Sequence, residues 1–308
     1  MFDRKFQLIR VSENAYTFEV MVYGGSLRDM QTLLIFHSIE FPLPPSSVFC
    51  DEMWQAGLQV VFVRRAGFGS TTALPPVLIE KTPITNGATA MAEAAMLRKL
   101  ITTLSLSDIV VLAMGSSNPV VYRLVHLAPE ISYTIFANSM FNQDIWQVFT
   151  PTWFQAMLKQ IVTSESGLKV AIQGMKLLIR KDPVSFYTHI YQKNEYDLAY
   201  VQANAADYLK AGALALEIDP AQLYYDAMMC LSHDPMLKDD FFRNIQGTVL
   251  IGERSSMHWQ TQMAAEATRV GLPVALAPKG DLFCAYTSPG TLLGILEKSE
   301  EPELLKAV

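Results

Sequence analysis

The stretch Asp108–Pro129, DIVVLAMGSSNPVVYRLVHLAP, decides the fold. Ile109–Ala113 is a short apolar run closed by Met114 and Gly115, and two serines, Asn118 and Pro119 follow. Val120, Val121, Leu124, Val125 and Leu127 then fall at helical spacing. This order predicts a buried strand, a tight turn and an amphipathic helix. A serine at the apex of such a turn has its hydroxyl lifted above the sheet, with the first helical N–H groups aimed at one point. Counted as G-x-S-x-G, the turn opens at Gly115, has Ser117 as its apex, and carries Pro119 in place of the last glycine. A residue before proline is pushed from helical towards extended dihedrals, so Asn118 is expected to open the turn.

Working outward, residues 16–23 alternate like a strand, and Thr32–Phe36 and Leu58–Val63 are buried apolar runs. A short helix is expected over Val48–Gln55 and another over 90–104, with a strand at Ile131–Ala137. Strands at 248–251 and 272–277 and helices near 259–270 and 288–297 close the chain. Strands alternating with helices imply a mostly parallel sheet covered on both faces. The texture changes near Met140. Residues 140–245 read as helical and aromatic-rich, with Asp182-Pro183, Asp219-Pro220 and Asp234-Pro235 at helix boundaries. So long a segment is a lobe inserted between strands rather than a loop. The expected organisation is a core of 1–139 and 246–308 carrying a helical cap of 140–245.

Half of the 308 residues are apolar and 18% are charged, enough to bury a large core. The net charge is −6 and no basic run occurs, which argues against nucleic acid or an anionic membrane as partner. No segment approaches the roughly 18 uninterrupted apolar residues of a membrane span. The charged N-terminal stretch lacks the apolar centre of a signal peptide. Cys50, Cys230 and Cys284 are far apart, which suits reduced thiols in a cytoplasm. No two of the five histidines have metal-ligand spacing, so neither a metal nor a cofactor is expected.

Five landmarks in this order resemble the α/β-hydrolase superfamily, bacterial members with a helical cap above all. They are LIFHSIEFP, AGLQVVFVRRAGFGST, MGSSNP, TVLIGERSS and APKGDLFCAYTSP. The resemblance implies a serine nucleophile, an acid after the strand at 248–251 and a histidine after the strand at 272–277. Ser117 fits the first station, but the acid station carries Ser255 and the histidine station carries Asp281. His258 is the relocated base that a swapped arrangement would use, with Asp281 orienting it. The backbone N–H groups of Ile39 and Asn118 occupy the oxyanion-donor stations the family implies. Ser38 stands where the family has glycine, and His37 is expected to pack the loop. Arg64-Arg65 replaces an acidic position, as a surface pair or as a rim site for a carboxylate.

A serine hydroxyl needs an adjacent base to act as a nucleophile at neutral pH. Three functions follow. The first is a hydrolase-like binder of a small apolar or acyl-type molecule beneath the cap, with a degenerate triad. The second is an active serine hydrolase of esters or lactones, using Ser117 with His258 or a cap histidine, His189 or His233. The third is a regulatory protein-interaction module on the same scaffold. The sequence does not fix the oligomeric state, and a homodimer stays open.

Overall fold

Three runs, Gln31–Phe36, Leu58–Val63 and Ile109–Met114, have no position exposed to solvent, so both faces of the sheet are covered there. In the computed structural model they are the centre of an eight-stranded sheet ordered β1-β2-β4-β3-β5-β6-β7-β8. The structure describes residues 5–13, 15–39, 41–75, 87–139, 164–191, 194–218, 222, 225–226 and 238–300. The strands are β1 (Phe6–Glu13), β2 (Tyr16–Tyr23), β3 (Gln31–Phe36), β4 (Leu58–Val63), β5 (Ile109–Met114), β6 (Ile131–Ala137), β7 (Gly247–Gly252) and β8 (Val274–Ala277). The first two pair antiparallel, β2 pairs antiparallel with β4, and every pairing beyond that is parallel.

Side chains alternate across each strand and sort into two cores. Leu34, Phe36, Val61, Val63, Val111 and Ala113 face α2 (Ala88–Thr103) and α3 (Asn118–Leu127). Leu33, Ile35, Val60, Phe62, Val110 and Leu112 face α1 (Ser47–Gln55) and the C-terminal helix, through Phe49, Met53, Leu292 and Ile295. Between β6 and β7 in sequence lie four described helices, α4 (Glu165–Lys181), α5 (Pro183–Tyr191), α6 (Glu195–Ala203) and α7 (Ala205–Glu217). The chain closes with α8 (Met257–Val270), α9 (Cys284–Thr287) and α10 (Pro289–Glu300). Helix α8 begins where the Ser256 hydroxyl accepts the Trp259 N–H, and stops at Gly271 with φ +76°. No described helix is long and apolar enough to cross a membrane.

Strand β1 was not expected. It is an edge strand with charged Arg10 and Glu13 and one solvated face, so its apolar signal is weak. The strand expected over 272–277 is shorter, because Pro273 has no N–H to give the ladder. Its carbonyl still accepts the Val249 N–H. His233, Cys230 and residues 140–163 of the expected cap lie outside the described residues.

At Gly247 a Cβ would stand 2.4 Å from the Thr134 carbonyl oxygen, a backbone atom that cannot swing away. Gly247→Ala should therefore lower the unfolding free energy by about 1–3 kcal/mol in urea denaturation. Gly174→Ala, which meets no atom within 4 Å, is the matched control and should not destabilise the fold.

Candidate functional site

The turn after β5 is a single 3-10 turn, Gly115–Ser117, running straight into α3. Its left-handed residue is Gly115, at φ +48°. The apex therefore lies two residues before the serine that G-x-S-x-G counting selects. A Cβ at Gly115 would meet Ser38 Oγ at 2.6 Å, so the position takes no side chain without rearrangement. Ser117 has 0% exposure. Its hydroxyl accepts the Met114 N–H at 2.8 Å and has the Met114 and Phe36 carbonyls, at 3.0 and 3.1 Å, as acceptors. It clasps the end of the strand and does not face a pocket.

Pro119 does not open the turn. Asn118 is helical, at φ −54° and ψ −46°, and its backbone N–H donates to the Gly115 carbonyl. Its side-chain amide donates to the Gly115 and Ala137 carbonyls at 2.8 and 3.1 Å. These bonds anchor the residue against the preference that a following proline imposes.

The other serine, Ser116, is the polar centre of the turn. Its hydroxyl accepts the Ile39 N–H at 2.9 Å and the Arg65 Nη1–H at 3.2 Å, while its own N–H donates to Ser38 Oγ at 3.3 Å. The N–H groups of Ile39 and Asn118 are thus both satisfied inside the protein. His37, fully buried, donates from Nδ1 to the Ser38 carbonyl at 2.8 Å and accepts the Arg65 backbone N–H on Nε2 at 3.1 Å. Burial first, then the Arg65 charge, holds its pKa well below the usual imidazole value. A neutral ring with both nitrogens engaged is the result. Among the described residues no imidazole bonds Ser116 or Ser117.

Arg64 and Arg65 are not a surface pair. Arg64 binds Glu19. Arg65 has 0% exposure and lies between two carboxylates. It reaches Glu93 with Nε and Nη2, both at 3.2 Å, and Asp226 with Nη2 and Nη1 at 2.7 and 3.1 Å. Tyr225 donates to Glu93 at 2.9 Å, and the Ala66 N–H donates to the same carboxylate at 3.2 Å. Burial works against the guanidinium charge, but Asp226 and then Glu93 outweigh it and hold its pKa well above the usual value. Glu93, Tyr225 and Asp226 were missed as site residues. The signal was an acid in the otherwise apolar run AMAEAAM, since an acid on a buried helix face needs a cation.

The stations after β7 and β8 do meet. Ser255 donates its hydroxyl to the Asp281 carboxylate. Burial raises the Asp281 pKa, and the serine bond opposes that. The backbone of the same loop donates to Asp197 of α6, from the Asp281 and Leu282 N–H groups at 3.1 and 3.0 Å. His258 stands exposed in the first turn of α8, and His189 is exposed on α5. His126 packs edge-on against Phe241, with ring centroids 4.4 Å apart.

Strand order, the antiparallel second strand and the turn after β5 point the same way as solved structures. E-2-(acetamidomethylene)succinate hydrolase superposes with a TM-score of 0.65 at 14% identity, over 96% of this chain and 100% of that one. An α/β-hydrolase fold protein from Chitinophaga pinensis gives 0.63 at 15% identity, over 95% and 96%. The esterase EaEST from Exiguobacterium antarcticum gives 0.60 at 10% identity, over 95% and 98%. The chain has the α/β-hydrolase fold. No family model and no curated protein matches its sequence. On that hydrolase scaffold, the turn after β5 carries glycine at its left-handed apex, and the loops after β7 and β8 bring a serine to an aspartate.

Removing the Arg65 charge leaves Glu93 and Asp226 buried without a cation. Arg65→Met should cost about 3–5 kcal/mol of stability. Arg64→Met, whose partner Glu19 keeps bonds from the Ser70 backbone and hydroxyl, should cost less. Urea melts of the two variants side by side check the order.

Proposed function

We propose that this chain is a non-hydrolytic binding protein built on the α/β-hydrolase fold. The observation that carries the reading is the glycine at the left-handed apex of the elbow, where a nucleophile would need a side chain. Three further features support it. With the apex at Gly115, the N–H groups that would stabilise an oxyanion are those of Ile39 and Ser116, and both already have internal acceptors, Ser116 Oγ and Ser38 Oγ. The hydroxyl nearest the apex, on Ser116, receives hydrogen bonds from Ile39 and Arg65, which draws electron density away from it. The stations for acid and base carry Ser255 and Asp281, and this pair cannot deprotonate a serine hydroxyl as an imidazole does.

The ligand we propose is a small apolar or acyl-type molecule taken between the helices of residues 164–218 and the sheet core. Phe41, Tyr187, Tyr208 and Phe283 are buried together there, with Phe41 and Tyr208 centroids 4.6 Å apart and Tyr187 and Tyr208 4.9 Å apart. The tight contact of those rings favours a second reading, a regulatory scaffold whose interior is already full and whose partner is another protein. In both readings the segment 140–245 acts as a cap on a core of 1–139 and 246–308.

A fluorophosphonate probe tests the reading. The wild-type chain should not be labelled, nor should Ser116→Ala or Ser117→Ala, and hydrolysis of short p-nitrophenyl esters should stay at the buffer rate. Labelling of the wild type that Ser116→Ala or Ser117→Ala abolishes would restore the serine-hydrolase reading. A melting temperature that rises with added long-chain acyl ligand supports the binder. No rise at any chain length supports the scaffold.

A further inference from the structure

Helix α6 meets the core at a joint made of two acids. Asp197, 1% exposed, directs its carboxylate into the turn before α9, where it accepts the backbone N–H of Asp281 and of Leu282. Gly280, at φ +82°, makes room for it, because a Cβ there would stand 2.8 Å from Asp197 Oδ1. The Asp281 carboxylate lies in the same joint against the Ser255 hydroxyl. Asn138, at the end of β6, holds the loop by donating to the Asp281 carbonyl at 2.9 Å.

The groups around the joint give the two acids no counterion. Among the described residues neither carboxylate has a salt-bridge partner. Arg254, in the turn after β7, lies 3.9 Å from exposed Glu195 and over the Tyr196 ring. Lys279, beside the glycine, is exposed to solvent. The thiol of Cys284 on α9 is buried and stays neutral. One acid comes from the segment between β6 and β7 and the other from the core, so separating the two segments separates the charges.

We propose that Asp197 and Asp281 form a proton-operated latch, which holds α6 on the core tightly in acid and loosens it towards neutral pH. The sign follows from linkage. Burial, with a smaller push from the Asp281 charge, raises the Asp197 pKa to about 6 from an ordinary 3.8, against the pull of its backbone donors. A docked α6 therefore binds the proton more strongly than an undocked one. Its advantage is complete below the ordinary pKa and declines as pH rises towards 6, then stays level. Asp281 is raised in the same direction and adds to the slope. A difference of this size corresponds to roughly a hundredfold change in the opening equilibrium.

Hydrogen exchange of the α6 amides, corrected for the intrinsic pH dependence of exchange, reads the opening. In the wild type, opening should become roughly a hundredfold more frequent between pH 4 and pH 7. Asp197→Asn, which keeps an oxygen for the loop N–H groups but does not titrate, should lose most of that slope. Asp281→Asn keeps the titrating group and removes its like-charged neighbour, so the transition should move to lower pH. A flat wild-type profile, an undiminished slope in Asp197→Asn, or an unmoved transition in Asp281→Asn would each overturn the latch. If Asp197→Asn does not fold, the direction of the Asp281→Asn shift decides alone.

Discussion

One buried guanidinium ties the parts of this molecule together. Arg65 leaves the end of the fourth strand, bonds the serine of the elbow, and closes on an acid from the core helix α2 and an acid from the segment before β7. A charge with no exposure is tolerated only when its hydrogen bonds are filled and its charge is balanced. That condition fixes the loop after β4 and pins Ser116. It also brings Asp226 into the interior, although that residue is 161 positions away in the chain. The polar groups of the elbow are engaged because the same network that stabilises the fold uses them.

The geometry of the turn also explains why the serine count misled. The pattern Gly-x-Ser is real in the sequence, but conformation is decided by which residue can take φ +48° beside Ser38 Oγ. Glycine does so without the Cβ clash. Once Gly115 is the apex, Ser117 falls on the inner side of the turn and bonds the strand it follows. Asn118, whose proline neighbour suggested an open turn, is held helical by an amide that reaches two carbonyls.

The fold was largely legible because apolar runs and helical periodicity are local properties. The buried runs at Thr32–Phe36, Leu58–Val63 and Ile109–Ala113 all became central strands, and only the amphipathic edge β1 escaped. The site was less legible because it is made by contacts across the chain. Nothing local links Arg65 to Asp226, or Asp197 to the Leu282 N–H. Ser255 and Asp281 were recognised by station, and they do touch. What each contributes depends on burial, which the sequence does not carry.

The most direct test of this buried charge network is a double-mutant cycle between Arg65→Met and Asp226→Asn, read as unfolding free energies. If the guanidinium and the carboxylate are mutually required inside the protein, the two losses overlap. The coupling should then be about 2 kcal/mol or more. Losses that add to within about 0.5 kcal/mol would mean the two charges act independently, and the account of a core organised around Arg65 would be wrong.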